Sequence, residues 1–202
     1  MLQISRISTA VVTARDLEAH AGERVMLSGP SGSGKSMFLR ALADLVPCDG
    51  EVHLNGEAMA AMPAHAWRAR IMLVEADSAW WAETVRDHFP PDAEPPLETL
   101  ALEPGLLDAS PLEISSGQRQ RLAVLRALAR EPRVLMLDEP TANLDEHTTA
   151  ALEGLLLRWT ATGGLLLMTS HEAAQRRRLG TRFWQVEDGE VREVGTAEAG
   201  HE

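Results

Sequence analysis

Short apolar runs flanked by polar or turn residues recur along the chain, at residues 24–27, 70–74, 133–137, 165–169 and 183–186. Each is too short for a helix of its own and has the continuous apolar character of a strand buried on both faces. Between them, apolar positions fall at helical spacing over residues 35–45, 118–129 and 146–159. Strands alternating with helices predict a mainly parallel sheet covered on both sides. Two hairpins add a small antiparallel part. Asn55-Gly56 follows the run 51–54, and Asp188-Gly189 joins 183–186 to 191–194; both dipeptides suit the tight turn that a two-residue hairpin needs.

Residues 76–111 break this rhythm. They hold six of the eleven prolines, including Phe89-Pro90-Pro91 and Glu94-Pro95-Pro96, and few candidate strands. The expectation is one α/β domain over residues 1–202, with residues 1–75 and 133–202 as its core. Residues 76–132 would form an inserted, mostly helical and irregular subdomain. No internal repeat is present. The last residues, 195–202, are small and polar and read as a frayed end.

Composition narrows the class without naming a chemistry. At 202 residues, 45% hydrophobic and 24% charged, the chain can bury a sizeable core. A net charge of −11 disfavours nucleic acid as a partner, because phosphate backbones call for a surplus of Lys and Arg. Cys48 is the single cysteine, which excludes an internal disulfide framework and a multi-cysteine metal site. No apolar run approaches the roughly 20 residues of a membrane helix. The first residues lack the apolar stretch of a signal peptide. A small soluble protein is expected.

Three stretches carry chemistry. Gly29-Pro30-Ser31-Gly32-Ser33-Gly34-Lys35-Ser36 matches the phosphate-binding loop pattern at every required position, with Met37 following in the helix. It lies between a predicted strand and a predicted helix. Glycines there let backbone N–H groups turn inward around an anion, and the helix start adds partial positive charge. Lys35 would reach the β- and γ-phosphates and Ser36 would bind Mg²⁺. Residues 134–139 form an apolar strand ending in Asp138 and Glu139. Beside a phosphate loop, Asp138 would hold Mg²⁺ through water and Glu139 would polarise the attacking water. Ile114-Ser115-Ser116-Gly117-Gln118 opens a second glycine-containing helix start, equally able to cradle a phosphate or to serve as an ordinary cap. Two such starts serve one nucleotide only if two copies of the chain face each other.

In these stretches, in order and spacing, the sequence resembles an ATP-binding cassette (ABC) ATPase over nearly its whole length, a P-loop NTPase fold. Residues 114–118 resemble the family signature, usually Leu-Ser-Gly-Gly-Gln. Ala142-Asn143-Leu144-Asp145 resembles the D-loop, and Thr169-Ser170-His171 the switch-histidine loop. The resemblance implies ATP and Mg²⁺ as ligands and ATP hydrolysis as the reaction. It implies a homodimer of cassettes in the ATP state, with Ser115, Gly117 and Gln118 gripping the γ-phosphate held by the partner copy's phosphate loop. Asp145 would couple the two sites, and His171 would contact the γ-phosphate and orient water.

Three positions depart from the family. Glu75 stands where a glutamine is usual. A carboxylate binds Mg²⁺ but repels the γ-phosphate and donates no hydrogen bond, so Glu75 is expected to keep a metal-side role with altered coupling. No aromatic precedes the phosphate loop, the first being Phe38, and there is no tyrosine. Adenine would then lie against an arginine such as Arg6 or Arg15, or bind loosely, with relaxed base selectivity. Ser116 replaces the first signature glycine.

Only the 39 residues 76–114 separate Glu75 from Ser115, fewer than in many import-type cassettes. Trp80 and Trp81 there read first as core, with a docking patch for a partner helix as the alternative. Arg176-Arg177-Arg178 reads as a solvated helix face. The resemblance extends to short bacterial export-type cassettes such as the iron-exporter ATPase. It implies the ATP-hydrolysing subunit of a transporter whose permease is a separate membrane-spanning chain, located in the cytoplasm on the inner face of the membrane. A soluble, nucleotide-dependent regulator with weak hydrolysis is the second reading.

Overall fold

A computed structural model describes residues 1–195; of the expected frayed end, residues 196–202 lie outside the described residues. The chain runs β1 (Leu2–Ser8), β2 (Thr13–Ala19), β3 (Arg24–Ser28), α1 (Lys35–Leu42), β4 (Asp49–Leu54), β5 (Glu57–Ala58), α2 (Ala64–Arg70) and β6 (Ile71–Val74). It continues with α3 (Ser116–Leu128), β7 (Val134–Leu137), α4 (Glu146–Ala161), β8 (Leu165–Thr169), α5 (Ala173–Leu179), β9 (Arg182–Glu187) and β10 (Glu190–Val194). The ten strands among the described residues belong to one sheet, in the order β5-β4-β1-β2-β10-β9-β3-β8-β7-β6. The run β9-β3-β8-β7-β6 is parallel throughout. The other end is antiparallel apart from the β10–β2 pairing.

The parallel strands are buried on both faces, as their unbroken apolar runs predict. Val25 and Leu27 of β3, Val134 and Met136 of β7, and Leu165 and Leu167 of β8 point into one core with α1 and α2. The alternate residues Met26, Leu135, Leu137, Leu166 and Met168 point into a second core with α3, α4 and α5. Strand period 2 therefore divides each run between two cores. The sequence reading missed β1 and β2. Leu2, Ile4 and Ile7, like Ala14, Leu17 and Ala19, are buried while charged neighbours face out, a half-buried alternation rather than a solid apolar run.

Helix α1 ends at Leu42, three residues short of expectation, because Asp44 takes a left-handed conformation (φ 55°) and Trp67 of α2 seals the end. The Trp67 indole is fully buried and donates through Nε1 to the Leu42 carbonyl at 2.8 Å, satisfying an acceptor that the helix leaves open.

In the inserted stretch the one α-helix is α3. Residues 76–115 carry three short 3₁₀ turns, Arg86–His88, Leu97–Leu100 and Pro104–Leu107, and their Val85, Phe89, Leu97, Leu100 and Leu107 join the second core. The prolines explain this, since each removes a backbone donor and limits helix length. The tryptophan pair divides. Trp80 packs on the second core, whereas Trp81 is 72% exposed. Buried His88 holds their loop: its Nε2 accepts from the Trp81 and Ala82 amides at 2.8 and 3.0 Å, and its Nδ1–H donates to the Thr84 carbonyl. The solvated face expected for residues 176–178 is corrected at Arg176, which is 2% exposed and donates to the Ser170 carbonyl at 2.9 Å.

Trp67→Ala removes both a fully buried tryptophan beside α1 and the cap on its last turn. It should lower unfolding free energy by about 3–5 kcal/mol in a urea titration; a loss under about 1 kcal/mol would contradict this packing.

Candidate functional site

The glycine-rich stretch forms a tight loop between β3 and α1. Gly29 has φ 138°, and a Cβ there would lie 2.5 Å from the Val186 carbonyl oxygen, so only glycine lets the loop cross β9. Gly34 takes the left-handed region at the helix N-cap and offers no side-chain cap, leaving the first amides of α1 without a local acceptor. Lys35 is 7% exposed, and its Nζ donates only to loop carbonyls, Gly29 O at 2.6 Å and Pro30 O at 3.0 Å. Among the described residues no carboxylate is paired with it. The Ser33 hydroxyl is buried without a partner. An ammonium held by carbonyls, an orphan hydroxyl and uncapped amides together fit a polyanion.

A cavity of about 620 Å³ opens beside this loop, between Pro30–Ser33, Val11 and the β9–β10 turn. Arg6 and Arg15 face each other across β1 and β2 and do not line it, which corrects the expected arginine platform. Among the apolar residues lining it, Val11 is 48% exposed. A valine between Ala10 and Val12 gives little sequence signal of such a use.

The carboxyl ends of the parallel strands deliver the acidic residues. The Asp138 amide donates to the Val74 carbonyl at 2.9 Å, so the exits of β6 and β7 are neighbours. Thr169, at the end of β8, ties the next two residues together. Its hydroxyl donates to Asp138 Oδ1 at 2.8 Å and accepts from the Glu139 amide at 2.8 Å. Glu139 is left-handed (φ 49°), a conformation that L side chains adopt only when neighbours enforce it. Its Oε1 lies 2.7 Å from His171 Nε2. The structure thus brings together Asp138, Glu139 and His171. The Thr169 hydroxyl escaped the sequence reading, which placed that residue in its loop without a role. At β6, Glu75 Oε1 accepts from Arg40 Nε of α1 at 2.6 Å.

Residues 114–118 do not line the phosphate-loop cavity. Ser115 caps α3: its Oγ accepts from the Gln118 amide at 3.2 Å, and Gln118 Oε1 accepts from the Ser115 amide at 2.8 Å, a reciprocal capping box. Two arginines hold this start in place. Arg119 donates to the Ile114 carbonyl, and Arg121 to the carbonyls of Gly117 and Leu100. The sequence alone assigns neither arginine this role. A Cβ on Gly117 would meet the Asn143 carbonyl at 3.4 Å, so this start abuts residues 142–145. Ser116 is the first helical residue and has no positive φ, which removes the conformational objection to serine there. Asp145 caps α4, with Oδ1 accepting from the Thr148 amide at 2.8 Å and Oδ2 from its hydroxyl at 2.9 Å. These bonds hold its carboxyl below the usual carboxylate range.

Thr169→Val keeps the shape and deletes the hydroxyl, leaving the Glu139 amide and Asp138 Oδ1 each short of a partner. It should cost about 1–3 kcal/mol in chemical denaturation; a neutral result would contradict the tie. Because the folded Asp145 carboxyl titrates below its unfolded value, its capping contribution is complete above the unfolded range. It is lost as pH falls through the folded value. The stability gap between wild type and Asp145→Ala should therefore be flat above about pH 5 and shrink in more acid solution; a gap that widens in acid would contradict it.

Comparison with known proteins agrees with this geometry. Residues 12–142 match the family described as ABC transporter. The chain is 33% identical over 207 residues to the arginine transport ATP-binding protein ArtP of Haemophilus influenzae, covering 91% of this chain and 85% of that one. It is 32% identical over 205 residues to the lipoprotein-releasing system ATP-binding protein LolD of Pseudomonas fluorescens, covering 91% and 89%. Its fold superposes on a dimeric, post-hydrolysis ATP-binding cassette bound to ADP and phosphate with a TM-score of 0.78 and 24% identity, covering 97% of this chain and 99% of that one. A bacterial Atm1-family ABC exporter with ATP bound gives 0.83 and 21%, with 39% of that longer chain covered. With the family match over most of its length and relatives of more than 30% identity over nearly all of it, the chain belongs to the ABC transporter family.

Proposed function

We propose that the chain is the ATP-binding and ATP-hydrolysing subunit of an ABC transporter, and that two copies close on nucleotide to drive a separate membrane permease. The observation that carries this is the buried Lys35 ammonium, held by carbonyls alone beside an open cavity and on the same sheet edge as the Glu139–His171 pair. The loop amides and Lys35 would bind the phosphates, and Val11 would give adenine an aliphatic surface. Ser36 and Asp138, with Glu75 as a further candidate, would hold Mg²⁺, which would neutralise phosphate charge. Such an ion keeps waters and phosphate oxygens as its other ligands, which fits a chain with no cluster of three metal-binding side chains among the described residues. Glu139 would take the proton of the attacking water as the new P–O bond forms and the bond to ADP breaks. His171, already 2.7 Å from that carboxylate, would orient the same water.

Ser115, Ser116, Gly117 and Gln118 line no part of the phosphate cavity of their own chain, which supports their use by a second copy. Asp145 starts α4 beside them and would carry that contact between the two sites. Trp81, exposed and backed by Arg126 with its guanidinium 5.3 Å from the ring, is the candidate surface for the permease. Burial lowers the Arg126 pKa to about 10, with Arg130 adding to the effect, so it stays charged at neutral pH. Among the described residues no helix is long and apolar enough to cross a membrane, so the reading places the chain at the cytoplasmic face against a spanning partner. The relatives' names point to arginine transport and lipoprotein release. Cargo therefore varies across similar cassettes, and the iron-exporter resemblance is not carried further. The regulator reading is favoured by one feature, Glu75 in place of the usual glutamine.

Lys35 is the sole lysine in the sequence, so an amine-acylating reagent followed by mass spectrometry reads this site alone among side chains. MgATP should protect Lys35. Glu139→Gln should retain that protection and lose about 10²–10⁴ in turnover. ATP and GTP should protect within about tenfold of each other, given a valine in place of a stacking aromatic. Wild type that is protected but turns over no faster than Glu139→Gln would support the regulator instead. No protection by either nucleotide would overturn the nucleotide reading.

A further inference from the structure

We infer that Arg40 is a positioning residue for the phosphate site, acting through Glu75: it neutralises that carboxylate so that the Arg40–Glu75 pair stands in for an uncharged amide. The inference rests on the nucleotide reading above and deepens it.

Glu75 follows β6, and Asp138 and Glu139 follow β7, two paired strands whose ends are joined by the Asp138 amide and the Val74 carbonyl. A nucleotide triphosphate brought to this edge adds several more negative charges. Asp138 and Glu139 have assigned work with metal and water. A third carboxylate at this edge, whether or not it also reaches the metal, opposes the phosphates unless its charge is neutralised.

The structure supplies the compensation from α1. Arg40 lies four residues after Ser36 and so on the same helix face, about 6 Å further along the axis. Side chains lean toward the helix N-terminus, which returns the guanidinium toward the phosphate-loop end. There its Nε donates to Glu75 Oε1 at 2.6 Å. The backbone of Glu75 is anchored separately, its carbonyl accepting from the Ser78 hydroxyl at 3.0 Å. Glu75 is thus held through both its backbone and its side chain.

The pair is a poor stability device. The side chains are 45% and 36% exposed, and ion pairs so solvated contribute little to folding. Its place gives it another use. It lies between the helix that carries Lys35 and Ser36 and the strand exit next to Asp138, where one added or removed charge acts directly on phosphate affinity.

The test is equilibrium binding of the magnesium complex of a fluorescent, non-hydrolysable ATP analogue to the full chain, with thermal melts as the control for folding. Arg40→Gln, which keeps helix propensity, should weaken binding by about fivefold or more, the scale of one uncompensated charge across a partly solvated site. Arg40→Lys should stay within about twofold of wild type, since it keeps the charge. Glu75→Gln should bind at least as tightly as wild type, and adding it to Arg40→Gln should restore affinity to the level of Glu75→Gln alone. Arg40→Gln binding like wild type, or remaining weak in the double variant, would overturn the inference. A wild-type chain that does not bind the analogue would instead overturn the nucleotide reading beneath it.

Discussion

The constraint on which the site depends is the parallel register of β3, β8, β7 and β6. Parallel strands run their carboxyl ends to one edge, so the phosphate loop, the Asp138–Glu139 pair, the Thr169–His171 segment and Glu75 arrive together from four distant parts of the chain. The two cores hold that register. Each central strand divides its apolar residues between both faces, so a slip by one residue would exchange the cores' contents. The Thr169 hydroxyl then turns strand order into site geometry by fixing the two acids of β7 from the end of β8.

On the proposed reading one copy is chemically incomplete, and the same architecture accounts for it. The start of α3 is a finished cap, closed by Ser115 and Gln118 and held by Arg119 and Arg121. It packs on the stretch before α4 rather than on the phosphate loop. The helix start proposed to meet the nucleotide of a second copy is therefore firmly capped but aimed elsewhere than its own chain's cavity. Local capping and use by a partner are compatible, because the cap spends side chains and leaves the outer surface of the turn free.

Much of this was legible in the sequence, for identifiable reasons. Buried parallel strands are continuous apolar runs, and phosphate loops impose fixed glycine positions, so β3, β7, β8 and residues 29–36 were plain. The half-buried strands β1 and β2 were not, since charged residues interrupt their pattern. Nor was the division of Trp80 from Trp81, which depends on a loop organised by His88. The arginines were the least legible: Arg176, expected on a solvated face, is a buried donor to Ser170, and the sequence was silent on Arg121, which clamps a backbone, and Arg40, which pairs with Glu75. Composition tells that an arginine is present; only the fold tells which carbonyl or carboxylate it meets. The Thr169 hydroxyl and Val11 were silent for the same reason, since their partners lie across the sheet or the loop.

The central claim is that nucleotide bound at Lys35 is completed by the Ser115–Gln118 end of a second copy. Light scattering on Glu139→Gln, which should bind nucleotide without turning it over, measures this most directly. With saturating MgATP the mass should double, and it should return to that of one chain when nucleotide is removed. A protein that is saturated with MgATP, as Lys35 protection would report, and still scatters as a single chain would contradict the account.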